Sequence, residues 1–281
     1  MKLARRPLKL IGHLLLAAWA AAVLVPLFLA VLASLKTNTE IFANPFGIDL
    51  ANLRWENYAT AWNGPPGGGP LWQYVLNSVI ATACTLLIGV TLSTAAAYGL
   101  ARAGGRTAMF VTRLFTFMLT IPVLAILVPI FFIAGSMGLR NSPWGISVVY
   151  AAFVIPLATL LLRPFFASIP AELSEAAQLD GAGQVRTFTA IYLPLAWPAI
   201  LSVLIIELIG FWSEFGIAIV LLTVRESKTL PIGLLAFKGE FFTDLGVQFA
   251  GLLLAAAPLV VIYFIFSKRI MAGLSASGML K

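Results

Sequence analysis

The chain has 281 residues, 60% of them hydrophobic and 10% charged, with 18 basic against 11 acidic side chains. Soluble domains carry about 25% charged residues, so a mean hydropathy of +0.98 excludes an ordinary soluble enzyme and a disordered chain and leaves an integral membrane protein. A lone cysteine, Cys84, excludes an intrachain disulfide framework, and the net charge of +7 first asks where along the chain the charges sit.

A membrane-crossing helix needs about 20 mostly apolar residues. The first such run, 10–35, follows Lys2, Arg5, Arg6 and Lys9. That pattern also opens a cleavable signal, with Val31-Leu32-Ala33 as its cut site, but about 26 apolar residues exceed a signal core. Five more runs qualify, at 72–100, 110–134, 144–162, 195–222 and 247–266. Pro122 and Pro129 interrupt the third of the six spans, and Glu207 and Glu214 sit inside the fifth. Between the first two, 36–71 forms a long loop that ends in a Gly/Pro connector at 64–70, a turn signal without chemistry.

Lysine and arginine set orientation. With the amino terminus inside, twelve basic residues are cytoplasmic: Lys2, Arg5, Arg6, Lys9, Arg102, Arg106, Arg113, Arg163, Arg186, Lys268, Arg269 and Lys281. Six are outside: Lys36, Arg54, Arg140, Arg225, Lys228 and Lys238. Both termini are therefore expected in the cytoplasm, with 36–71 and 223–246 extracytoplasmic. The excess positive charge reads as topology, and no nucleic-acid partner is expected.

The cytoplasmic loop 163–194 carries the strongest signal. Pro170 suits the first position of a helix, Glu172 and Glu175 suit its positive end, and Ala176 and Ala177 give a smooth middle. Asp180 and Gly181 stop the helix, glycine taking the left-handed conformation. A second short run, 185–192, leads to Leu193-Pro194 at the start of the fifth span. On these residues alone, a plain connector and a docking element for a cytoplasmic partner weigh about equally.

In the fifth span, Glu207 and Glu214 lie seven residues apart, about 10.5 Å along a continuous helix and nearly on one face. Phe211 lies between them, with Trp212 and Ser213 beside it. A carboxylate at bilayer depth costs at least about 2.5 kcal/mol, so the face is expected to line a watery path or pair within the bundle. Carboxylates accept from sugar hydroxyls and aromatic rings stack on sugars. No G-x-x-x-x-G-K-[ST] loop, H-E-x-x-H or G-x-S-x-G is present, and one histidine, His13, leaves metal chemistry without ligands. Neither a metal site nor a catalytic site is expected.

Glu175-Ala176-Ala177, three residues, Gly181, nine residues, Ile191, one residue, Leu193-Pro194 resembles the EAA signature of the membrane subunits of binding-protein-dependent ABC importers. Residues 53–58, Asn77-Ser78, 95–102, Pro122 with Pro129, Trp212 and 273–281 are similar to the carbohydrate branch, in particular its maltose-type second permease. The resemblance covers about 20–281; Trp212-Ser213 stands where the branch often has Trp-Asn, and the tail lacks its Lys-Gly pair.

The resemblance implies an all-α integral membrane protein with six transmembrane helices and both termini cytoplasmic, the MetI-like type I ABC importer permease fold. It implies one transmembrane domain over 1–281, with the permease core at about 71–270 and a coupling loop at 168–194. It further implies a homologous permease subunit, two copies of an ABC ATPase that bind ATP and Mg in place of this chain, and an extracytoplasmic binding protein that hands over a sugar or oligosaccharide. In that family the loop helix sits in a groove of the ATPase, whose closure flips the cavity between its two faces. Glu175, Ala176, Ala177, Asp180, Gly181, Arg186, Leu193 and Pro194 would form the docking loop, and Glu207, Phe211, Trp212, Ser213 and Glu214 the cargo path. The expected location is the plasma (inner) membrane of a prokaryote. A glycerol-phosphate or glycerophosphodiester permease is the alternative within the family, although two unpaired carboxylates in the path would repel an anion. A proton-coupled secondary transporter and a polytopic membrane enzyme are the alternatives outside it.

Overall fold

The computed structural model of the chain describes residues 5–47, 49–65, 69–237 and 244–276. Lys2, Pro66, Gly67, Gly68, Lys238 and Lys281 lie outside the described residues. Every regular element within them is helical: α1 Arg5–Ser34, α2 Asn38–Ala43, α3 Glu56–Asn63, α4 Leu71–Ala103, α5 Gly105–Thr120, a 3-10 turn Val123–Ile126, α6 Leu127–Ser136, α7 Pro143–Ser168, α8 Glu172–Leu179, α9 Gln184–Thr187, a π turn Phe188–Tyr192, α10 Leu193–Trp212, α11 Gly216–Leu221, α12 Leu230–Gly233 and α13 Leu245–Ala276, with further 3-10 turns at Arg225–Ser227 and Leu234–Phe237. Among the described residues, five helices are long and apolar enough to cross a membrane, and a sixth crossing is available if the bent pair Gly105–Thr120 and Val123–Ser136 counts as one.

That pair covers the third span expected over 110–134, and it is sharply bent rather than straight. The two arms meet at 92°. Proline disfavours helical backbone in the residue before it, and Ile121 accordingly turns extended (φ −79°, ψ 119°), as does Pro122 itself. The fourth span runs longer than expected. Ser142 caps α7 by accepting from the Gly145 N–H, Pro143 takes the first turn, and the helix continues past Arg163 to Ser168.

The described residues divide into two compact units, one within 1–72 and 234–257, the other within 73–233 and 258–281. In the smaller unit, the loop after α1 is folded. Lys36, a charge the sequence placed in an open loop, is buried, and its Nζ donates to the carbonyls of Asn44 (2.9 Å) and Pro45 (3.1 Å). Asn57 Nδ2 donates to the carbonyls of Ser34 and Lys36, and Asn38 Oδ1 accepts from the Leu245 N–H at 2.8 Å. Thr37 and Glu40 close a capping box at the start of α2. The Thr37 backbone N–H, then its hydroxyl, hold the Glu40 carboxyl below the usual carboxylate range.

In the larger unit α4 and α7 pack closely. A Cβ on Gly89 would lie 2.7 Å from Val154, so only glycine permits this approach. Ser93 and Thr85 satisfy their hydroxyls on the α4 carbonyls of Gly89 and Ala81. One apolar cluster joins Leu86, Val90, Val154, Leu162, Phe166 and Tyr192. A second joins Ala81, Ile146, Tyr150, Ile217, Leu221 and Ile232. The first underlies the 168–194 loop, and the second underlies the segment that follows α10.

Candidate functional site

α8 begins at Glu172, two residues after Pro170, with Ala171 as the first carbonyl acceptor for the helical bonds of Ser174 and Glu175. It ends as the sequence suggested. Gly181 adopts φ +78°, its N–H donates to the Gln178 carbonyl at 3.0 Å, and the Ala182 N–H reaches back to Ala177 at 2.8 Å. This is a Schellman stop, and it needs a residue without a Cβ penalty at position 181.

The helix has two unlike faces. Ser174 and Ala177 are buried. Ser174 Oγ accepts from Arg102 Nη2 at 2.9 Å, and Arg102 Nη1 donates to the Tyr192 hydroxyl at 3.0 Å. Tyr192, fully buried, meets Tyr98 edge-on, and Tyr98 in turn contacts Phe166 and Phe188. One arginine at the end of α4 thus ties the loop helix to the base of α10. On the other face Glu175, Ala176, Asp180, Gly181 and Arg186 are exposed. Leu179 (90% exposed) and Val185 (78%) stand open beside them. Among the described residues, the side chains of Glu175, Asp180 and Arg186 carry no hydrogen bond or ion pair. Ala177, expected in the docking set, lies on the packed side of the helix. Leu179 and Val185 were absent from that set, although their large apolar side chains flanking the glycine stop were a usable signal.

Leu193 and Pro194 open α10 behind a wide turn. The Leu193 N–H bonds the Phe188 carbonyl, five residues back. Pro194 has no N–H and its ring would crowd the carbonyl four residues before it, and the π turn removes that conflict. The run 185–192 and the fifth span therefore form one apolar helical rod, Gln184–Trp212.

At its far end that rod breaks, which corrects the picture of one continuous span over 195–222. α10 stops at Trp212, and Glu214 lies beyond the cap residue Ser213 rather than two turns along the same face as Glu207. Glu214 instead starts α11. Its carboxylate accepts from the N–H groups of Ile217 (2.7 Å) and Ala218 (3.1 Å) and from the Tyr150 hydroxyl. All three donors are neutral, so these bonds fix the carboxylate at the start of α11 without supplying a counter-charge. Glu207 is 5% exposed within α10, and its Oε1 has no partner among the described residues. Trp212 is buried, while Phe211 is half-buried against the Tyr150 ring at 4.9 Å. Ser213 is exposed, its hydroxyl bonded back to the Ile209 carbonyl.

The stretch 223–230 after α11 is packed as well, although hydropathy predicts a loop over 223–246. Asn141, in the left-handed region at φ 55°, accepts from the N–H groups of Thr223 and Val224. Asn77 Nδ2 donates to the carbonyls of Glu226 and Lys228, and Ser78 Oγ accepts from the Leu230 N–H. Asn77-Ser78, noted in the sequence only for its resemblance, proves to be the clasp for this segment.

Several apolar helices long enough to cross a membrane, with a two-faced loop helix at one end of α10 and a capped, broken helix at the other, fit a multi-pass membrane protein. Residues 89–275 match the family described as binding-protein-dependent transport system inner membrane component, and the chain belongs to that family. The diacetylchitobiose uptake system permease protein NgcG of Streptomyces coelicolor is 34% identical over 269 residues, covering 94% of this chain and 87% of that protein. The sulfoquinovosyl glycerol transport system permease protein SmoH of Agrobacterium fabrum is 30% identical, over 91% and 88%. A solved bacterial ABC transporter involved in the import of the acidic polysaccharide alginate superimposes with a TM-score of 0.80 over 94% of this chain and 97% of that one, at 21% identity, which establishes a shared fold.

Proposed function

We propose that the chain forms half of the translocation pathway of an ATP-driven importer for a sugar or oligosaccharide. It crosses the plasma (inner) membrane of a prokaryote six times, with both termini cytoplasmic. A homologous permease supplies the other half, two copies of an ABC ATPase hold ATP and Mg, and an extracytoplasmic binding protein delivers the cargo. The 168–194 loop couples the chain to the ATPase through Glu175, Ala176, Asp180, Gly181 and Arg186, joined by Leu179 and Val185. Leu193 and Pro194 set the angle at which α10 leaves that loop.

The observation that carries this reading is the division of α8 into a face bolted to its own bundle by Arg102 and a face left open. Movement of a partner on the open face would reach α4 and α10 through the Arg102 bonds to Ser174 and Tyr192. Span five contributes to the path at its break, through Ser213 and the partly exposed Phe211 and Glu214. Trp212 and Glu207 lie behind that edge and hold it in shape. A carbohydrate cargo is supported by the relatives, one named for diacetylchitobiose and one for sulfoquinovosyl glycerol.

The test is uptake by the complete importer with its binding protein in proteoliposomes. ATP inside the ATPase compartment should drive accumulation of a neutral disaccharide, and an imposed proton gradient without ATP should not. Uptake driven by the gradient alone sinks the proposal.

A further inference from the structure

At the end of the bundle that carries α8, a cavity of about 640 Å³ is lined by Gly105, Arg106, Met109, Thr112, Arg113 and Arg163. The first five recur at the spacing of one helix face at the start of α5, and Arg163 comes from the last turns of the neighbouring α7. Three arginines thus line one opening. Arginine stays charged in proteins, so the three repel one another across it. Among the described residues no carboxylate pairs with any of them. The Nε of Arg163 is sealed from solvent and, among the described residues, has no acceptor, an unfavourable state for a charged donor. The tendency of basic residues to stay on the cytoplasmic side accounts for their presence at this end. It does not account for their convergence on a cavity or for a buried donor left open.

We propose that this cavity is a binding site for a phosphate oxyanion, distinct from the cargo path and from the α8 docking face. Phosphate offers several acceptor oxygens and charge in one compact group, and the planar fork of arginine matches it bidentately. The amino-terminal end of α5, a 16-residue helix, adds its positive dipole to the same opening. The phosphate can come from a membrane lipid headgroup or from a soluble phosphate. The inference stands whatever the cargo proves to be.

The test uses the assembled importer, purified in detergent. Two probes are applied: inorganic phosphate, followed by calorimetric titration, and nanodiscs of phosphatidylglycerol or phosphatidylcholine, followed by native mass spectrometry of retained lipid. The wild type should bind at least one phosphate-bearing probe, and Arg163→Gln should weaken that binding by about tenfold or more. Arg163→Lys keeps the charge without the fork and should also bind more weakly. Arg113→Gln, at an exposed position, serves if the Arg163 variants do not reach the membrane. Retention of phosphatidylglycerol without affinity for inorganic phosphate assigns the site to a lipid headgroup, and the reverse assigns it to a soluble phosphate. The proposal is overturned if neither probe binds, if all three variants bind like the wild type, or if the isolated chain binds phosphate but the assembled importer does not. The last outcome would mean that an acidic group of a partner subunit fills the cavity.

Discussion

Two short helices, α8 and α11, lie at opposite ends of α10; α8 has Glu172 and Glu175 in its first turns, and α11 has Glu214 just before it. In α8, Glu172 and Glu175 are exposed, and among the described residues their side chains make no hydrogen bond or ion pair. In α11, Glu214 is spent locally on two backbone N–H groups and the Tyr150 hydroxyl. Ile217, Ala218 and Leu221 bury α11 on its own core, whereas α8 buries only Ser174 and Ala177. Acids of one kind therefore do opposite work. Those on α8 are available to a partner, and the one at α11 holds the span's broken end in place.

The contrast predicts a graded series of effects. The largest is expected for Glu175→Lys and Gly181→Trp. Both change the open side of α8, and the second also puts a side chain on left-handed backbone, a cost of about 1–2 kcal/mol. Each should abolish ATP-driven uptake while the protein still reaches the membrane. Normal uptake at normal membrane levels would remove the contrast between the two helices.

Next comes Arg102→Ala, which leaves Ser174 and Tyr192 without their shared donor. Two hydrogen bonds to a charged group are lost, each worth about 1.5–3 kcal/mol. ATP hydrolysis should persist with uptake reduced at least about tenfold, and the melting temperature should fall. An unchanged ratio of uptake to hydrolysis would show that α8 transmits movement by another route.

Glu214→Ala should act on stability. It removes the cap of α11 and the Tyr150 partner, a loss of about 1–3 kcal/mol, so detergent melting should drop while ATPase-subunit binding stays intact. If melting is unchanged but the range of sugars carried is altered, Glu214 belongs to the cargo path rather than to the frame.

The smallest effect is expected at Glu40, another acid that caps a helix. Its carboxyl is held below the ordinary value of 4.5, so the capping box contributes fully above that value. The contribution fades as pH falls through the lowered folded-state value. Glu40→Gln should flatten this acid-side decline by slightly lowering thermal stability at neutral pH while leaving the acid-side value nearly unchanged. An identical decline in the variant would show that other carboxylates set it.

How much of this was legible in the sequence depended on distance along the chain. The α8 stop was legible because a Schellman motif is local: five residues and a glycine decide it. The kink in the third span was legible for the same reason, since Pro122 acts on its immediate neighbour, although its size was not. The break after Trp212 was not legible. Hydropathy continues unbroken through 216–222, and only the burial of Ile217 and Leu221 with the Tyr150–Glu214 bond, 64 residues apart, turns that run into a separate helix. Arg102 was equally hidden, because its partners lie 72 and 90 residues away. The inward turn of Ala177 follows from that same anchor. Small residues in a row mark a helix that packs tightly, and they do not say which side is packed.

The stop at Gly181 has a consequence for traffic through many transport cycles. Three of the last four carbonyls of α8, those of Ala176, Ala177 and Gln178, are already claimed by the chain's own N–H groups. A surface that seats on this helix meets side chains, with little unsatisfied backbone to capture. Contact of that kind can be made and broken repeatedly without backbone hydrogen bonds being exchanged between subunits. Under the proposed coupling role, the helix would keep its shape whether or not a partner grips it, the constancy that a handle used once per turnover needs.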